Sequence, residues 1–205
     1  MTAARRVFEE RGFAATRMSD IADAAGVAHG TVYTYFGDKS AVLDAVVADL
    51  ATNLRSAWRV GAEDADPITR IEEANRRFLD SYNTHARLLA VIEQLAMNEP
   101  RYGVLLGDFR QRYVERAVAG IGRLQSEGQV DPALDPYLAG SALCAMVEGF
   151  GRQWIVRSEE HDPQVVTETL TRLWAAALGL QPQPRINATT QPADEARTQS
   201  TQPAT

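Results

Sequence analysis

Apolar side chains recur at three- and four-residue spacing from Val7 to Leu180, and nowhere does an alternation of β-branched and polar residues replace that rhythm. Such a period gathers the apolar residues onto one stripe of a helix, whereas on a strand it would scatter them over both faces. The chain is therefore expected to be all-α. Gly12, Gly26, Gly37, Gly61, Pro100, Gly128 and Pro163 fall between the periodic segments. They divide the chain into helices expected over 1–12, 18–25, 29–36, 38–60, 67–83, 85–98, 101–127, 134–158 and 163–178. Residues 181–205 are rich in Gln, Thr, Pro and Ala and carry no aromatic residue, so they cannot bury enough surface to offset their ordering entropy. They read as a disordered tail.

With 205 residues and 45% apolar content, the chain can bury a sizeable core. Its net charge of −6 is spread evenly: five basic and seven acidic residues over 1–50, fourteen and eighteen over 51–180, two and two in the tail. No segment is cationic as a whole, so any nucleic-acid contact must come from a local face. No apolar run approaches the roughly 20 residues of a membrane span, and the opening residues are amphipathic, which argues against export and for the cytoplasm. Cys144 is the only cysteine and sits in an apolar run, where a thiol behaves as a small hydrophobe. His29, His85 and His161 lie far apart, and no HExxH, Glu-x-x-His, phosphate loop or G-x-S-x-G occurs. Catalysis, a metal and a cofactor are not expected.

The informative stretch is RMSDIADAAGVAHGTVYTYF, residues 17–36, where two short helices are joined by a tight turn. That is helix-turn-helix spacing. Ala22 is small enough for the helix crossing, and Gly26 can adopt the left-handed conformation that closes the first helix. Val32, Ile21, Ala25, Val27 and Phe36 form the expected inward face, packed on Val7 and Phe8.

AGVAHGTVYTYFGDKSAVLDAV resembles the AGV-x-x-G-x-(aliphatic)-Y-x-Y-F-x-x-K-x-x-(aliphatic)-L signature of the TetR family of transcriptional regulators (TetR/AcrR-like), and RRVFEERGFAATRMSDIA is similar to what precedes it there. The likeness spans residues 3–47. It implies a DNA-binding domain over 1–47, a ligand-binding and dimerisation domain over 48–180, and a homodimeric repressor released from a palindromic operator by a small effector. With Val27, Val32 and Phe36 inward, His29, Gly30, Thr31, Tyr33, Thr34 and Tyr35 remain outward. Gly30 lets the backbone approach the groove, Thr31, Tyr33 and Thr34 can offer groups to bases or phosphates, and Tyr33 and Tyr35 are expected mainly to position the backbone. Lys39 falls at the family's phosphate-clamping position, Thr16 is placed to cap the second helix beside the other strand, and Arg17 adds charge nearby. Two departures from the family pattern weaken the expected grip. Arg5, Arg6, Arg11 and Arg17 stand in place of a basic arm, and Ala28 stands where relatives carry a hydroxyl residue.

In the larger domain the resemblance implies an apolar cavity among the central helices. Phe78, Tyr82, Glu93, Met97, Phe109, Tyr113, Met146, Phe150 and Trp154 are its candidate lining, and their bulk points to a hydrophobic or aromatic effector. Ala139, Gly140, Ala142, Ala145 and Gly149 would let the last two helices approach a second copy in a four-helix bundle. The acidic balance keeps one alternative open: a helical ligand-binding or protein-interaction module with little DNA affinity.

Overall fold

Four of the helices open on a proline in the first turn, where the missing N–H leaves no bond unmade and the fixed φ suits the helix. Pro67, Pro100, Pro136 and Pro163 begin α5 (Pro67–Ala96), α6 (Pro100–Ser126), α7 (Pro136–Arg157) and α8 (Pro163–Ala177). Aspartate precedes three of them. Asp66 accepts from the amides of Ile68 and Thr69, Asp135 from Leu138 and Asp162 from Gln164. The four helices before them are α1 (Thr2–Ala15), α2 (Met18–Ala25), α3 (His29–Tyr35) and α4 (Lys39–Ala57). This computed structural model describes residues 1–57, 65–157 and 160–181, and no strand occurs among them. Beyond Gln181 the expected tail lies outside the described residues, as do the ends expected for the helices over 38–60 and 134–158.

Two expected boundaries are corrected. Residues 67–83 and 85–98 form one continuous helix, α5, because nothing between Pro67 and Pro100 can break it and its buried face runs on through Leu79, His85, Leu88 and Ile92. Gly12 does interrupt α1, with φ at +72°, but helical hydrogen bonding resumes and carries the helix to Ala15.

Packing divides into two apolar clusters. The first joins Val7 and Phe8 of α1, Ile21 and Ala22 of α2, Val32 of α3 and Val42 to Leu54 of α4 with Leu88, Leu89 and Ile92 of α5 and Tyr102 of α6. The second holds Leu79, Val114, Ile121, Leu143, Cys144, Val147, Leu170 and Trp174 of α5 to α8. Close approach of α7 to α6 depends on Gly140, where a Cβ would stand 3.2 Å from Val118 Cγ2. Asn75 and Thr171 are buried polar residues between α5 and α8, and Asn75 Nδ2 donates to Thr171 Oγ1 at 3.2 Å.

Candidate functional site

Gly26 ends α2 with φ at +67°, and the amide of Val27 reaches back to the carbonyl of Ala22 at 3.1 Å. Glycine reaches that conformation without the Cβ strain of other residues. The chain then reverses into α3, whose single buried residue is Val32, with Phe36 packed on the same cluster. His29, Gly30, Thr31, Tyr33, Thr34 and Tyr35 all face outward, Tyr33 57% and Tyr35 78% exposed. Large aromatic rings held this far into solvent gain little from folding.

Two side chains expected on the inward face are outside it. Val27 is 41% exposed and Ala25 is exposed, while Met18 is buried and Ala24 packs on the cluster in their stead. The left-handed turn at Gly26 rotates Val27 away from the core, so a helical count carried through the turn misplaces it.

The outward face has its own internal bonds. His29 Nε2 lies 3.0 Å from Asp23 Oδ1 of α2, and the Thr34 hydroxyl donates to the Gly30 carbonyl at 2.9 Å. Thr16 is expected to cap α2, but it is buried and its hydroxyl turns back to the Gly12 carbonyl at 2.6 Å. The capping is done by Asp20, whose carboxylate accepts from the Arg17 amide at 2.9 Å and meets Arg11 at 2.8 Å. The Arg17 amide, and then Arg11, hold the Asp20 carboxyl below its ordinary value. Arg17 itself is exposed at the start of α2.

Lys39 Nζ donates to the carbonyls of Phe13, Ala14 and Thr16 at 2.9, 3.1 and 3.1 Å and sits 4.6 Å from the centre of the Phe13 ring. An ammonium has three N–H bonds. All three are therefore committed to the end of α1.

A second site lies among α4 to α7. A cavity of about 390 Å³ is lined by Leu54 of α4, by Phe78, Ser81, Tyr82, Leu89 and Glu93 of α5, by Leu106, Gly107, Phe109, Arg110 and Tyr113 of α6, and by Glu148 and Arg152 of α7. Phe78 stacks on Tyr113 with centroids 4.4 Å apart and on Tyr82 at 6.0 Å, a continuous aromatic wall. Burial drives the Tyr113 phenol well above its ordinary value, and burial pushes the Cys144 thiol beside it up to about 12. Tyr82 is raised too, by burial first and Glu93 second.

Of the nine candidate lining residues, the structure gathers Phe78, Tyr82, Glu93, Phe109 and Tyr113 around this space. Met97 stands at the end of α5, 83% exposed, and Met146, Phe150 and Trp154 pack against the second cluster. Ser81, Gly107, Arg110, Glu148 and Arg152 carried no sequence signal, since single polar or small residues on a long helix look like solvated surface.

Between the two sites runs α4. Its Asp44 takes Arg101 Nη1 at 2.8 Å and the Tyr102 hydroxyl at 3.1 Å, which joins it to the start of α6. Burial, with Asp44 second, pushes the Tyr102 phenol up to about 12. At its other end Leu54 reaches the cavity. No described helix is long and apolar enough to cross a membrane.

Comparison with known proteins bears on both sites. Residues 1–46 match the model for bacterial regulatory proteins of the tetR family, and residues 67–179 match the C-terminal domain of BetI-type transcriptional repressors. The HTH-type transcriptional regulator EthR of Mycolicibacterium smegmatis is 24% identical over 85% of this chain and 82% of its own length. The HTH-type transcriptional regulator TtgR of Pseudomonas putida is 25% identical over 78% and 80%. The crystal structure of the transcriptional regulator FadR from Bacillus subtilis, in complex with stearoyl-CoA, superposes with a TM-score of 0.69 at 18% identity, covering 86% of this chain and 96% of that one. At that identity the likeness is one of fold.

Proposed function

The chain belongs to the tetR family of bacterial regulatory proteins, and from that premise we propose that it is a homodimeric repressor, released from a near-palindromic operator when a small hydrophobic or aromatic effector fills its cavity. Residues 1–47 carry DNA reading in this scheme and residues 48–180 carry effector binding and dimerisation. The observation that carries it is α3, on which a single core residue, Val32, holds six neighbours outward. Tyr33, Thr31 and Thr34 reach base edges or phosphates in the major groove, Tyr35 and His29 set the helix against the backbone, and Gly30 allows close approach. Arg17 stands at the flank. Lys39 and Thr16 act through the α1–α2 corner they hold, and not by reaching DNA.

An exposed apolar face supports the dimer. Tyr137, Leu138, Ala142, Ala145 and Gly149 of α7 and Val165 and Leu173 of α8 are all exposed, whereas Gly140 is turned into α6 and Ala139 is half-buried. A two-fold copy packed there would complete a four-helix bundle and set two recognition helices about one DNA turn apart. An effector that favours a different spacing would weaken operator binding through α4, whose ends meet the two sites.

Selection of random duplexes bound at low salt is expected to recover a two-fold symmetric site. Tyr33→Ala should weaken binding to that site by about 1–3 kcal/mol, roughly 5- to 150-fold, without changing the melting temperature. Failure to enrich any symmetric sequence refutes the reading and leaves the helical module without DNA affinity.

A further inference from the structure

The charged side chains described around the cavity are already matched in pairs. Arg152 Nη2 of α7 meets Glu93 Oε1 of α5 at 3.1 Å, and Arg110 Nε of α6 meets Glu148 Oε2 of α7 at 3.2 Å. Among the described residues of the lining, two guanidiniums and two carboxylates are the only formally charged groups, and their charges sum to zero. All four side chains keep partial access to water, while the aromatic wall behind them is apolar. Each pair also ties two helices together at the edge of the cavity.

A charged ligand meets a poor choice at such an edge. It can leave its own charge beside a neutral pair, losing hydration with no opposite charge in return. Or it can take one partner and strand the other, which leaves a partly desolvated charge uncompensated. A neutral ring system disturbs neither pair and still gains the stacked wall. We propose that the Arg152–Glu93 and Arg110–Glu148 pairs filter ligands by charge, so that the effector of this protein is an uncharged, ring-bearing molecule and carboxylate or amine forms of the same skeleton are rejected. The inference rests on the cavity being the effector site.

Gly107 supplies the means to locate the ligand. It lines the cavity in the interior of α6, and a Cβ built on it would meet no atom within 4 Å. Gly107→Leu therefore adds bulk at the wall from a Cβ that has open space around it, and it replaces glycine with a strong helix former.

The test is calorimetric titration of the full chain at neutral pH with three probes that share one ring system: 2-naphthol, 2-naphthoate and 2-naphthylmethylammonium. Wild type should bind the neutral probe about tenfold more tightly than either ion, a difference of about 1.4 kcal/mol. Glu93→Gln frees Arg152, and the ratio of naphthoate to naphthol affinity should rise about tenfold. Arg152→Met should shift the ratio toward the ammonium probe. Gly107→Leu should abolish binding of all three. Wild type that binds naphthoate or the ammonium as tightly as naphthol, or a ratio unmoved by Glu93→Gln, overturns the charge filter and leaves the cavity as effector site. Absence of binding by every probe, or binding that survives Gly107→Leu, overturns the effector site itself and the filter with it.

Discussion

Replacing Lys39 by methionine separates two roles a lone lysine at this position could have. Methionine keeps the apolar stem against Phe13 and removes the ammonium that serves the carbonyls of Phe13, Ala14 and Thr16. A hydrogen bond to a charged group contributes about 1.5–3 kcal/mol, and a cation at a helix C-terminus about 0.3–1 kcal/mol. Three such bonds do not add in full, because Lys39 is only half-buried, its freed carbonyls regain water, and a long side chain loses rotamer freedom when fixed. The expected loss for the set is about 2 kcal/mol, or a melting temperature lower by about 4–8 °C for a chain of this size. Thermal melting followed by circular dichroism reads the first effect. The second reading comes from fluorescence anisotropy with the selected operator across a salt series. If the three N–H bonds stay committed to carbonyls, the slope of log K against log salt is unchanged. A phosphate contact would instead reduce that slope by about 0.9. An unchanged melting temperature with a reduced slope would refute the structural assignment of Lys39 and restore it as a phosphate clamp.

Two further outcomes follow from buried polar groups. His85 is buried, and that burial, reinforced by Arg5 and opposed by Glu9 and Asp49, lowers its pKa from the ordinary 6.5. The unfolded chain then binds the proton first, so stability is full above pH 6.5 and falls as the pH drops from there toward the folded value; thermal melts from neutral to mildly acidic pH should show this slope, and His85→Leu should flatten it. Asn75→Ala removes the buried bond to Thr171 and should cost about 2 kcal/mol in urea unfolding, whereas an effect below a few tenths would mean that Thr171 is satisfied elsewhere.

What the sequence made legible follows the range of the forces involved. The helix-turn-helix could be read because its determinants are local: Gly26, Val32 and the run of outward residues between His29 and Tyr35 sit within a few residues of one another. Errors entered where a turn or a tertiary partner decides orientation. Val27 leaves the core because of the backbone conformation one residue earlier, and the Thr16 hydroxyl turns back to Gly12 where a cap for α2 is expected. The cavity shows the same limit. Aromatic residues on α5 and α6 announce themselves by bulk, but Arg152 and Glu148 become part of a wall only through the way α7 crosses them. Met146, Phe150 and Trp154 share one helical stripe, and that stripe faces the second cluster.

The apolar cluster beneath the recognition helix has a practical consequence for anyone recombining such regulators. It extends through α1 to Leu88, Leu89 and Ile92 of α5, and Arg5 Nη2 also donates to the Thr84 carbonyl at 2.7 Å. A chimera spliced after residue 47 would transplant one half of a zipped surface and oppose it to foreign side chains. Grafting a new DNA specificity onto this sensor is therefore best done by exchanging the outward residues of α3 alone, leaving Val7, Phe8 and the stretch of α5 they rest on as a matched pair.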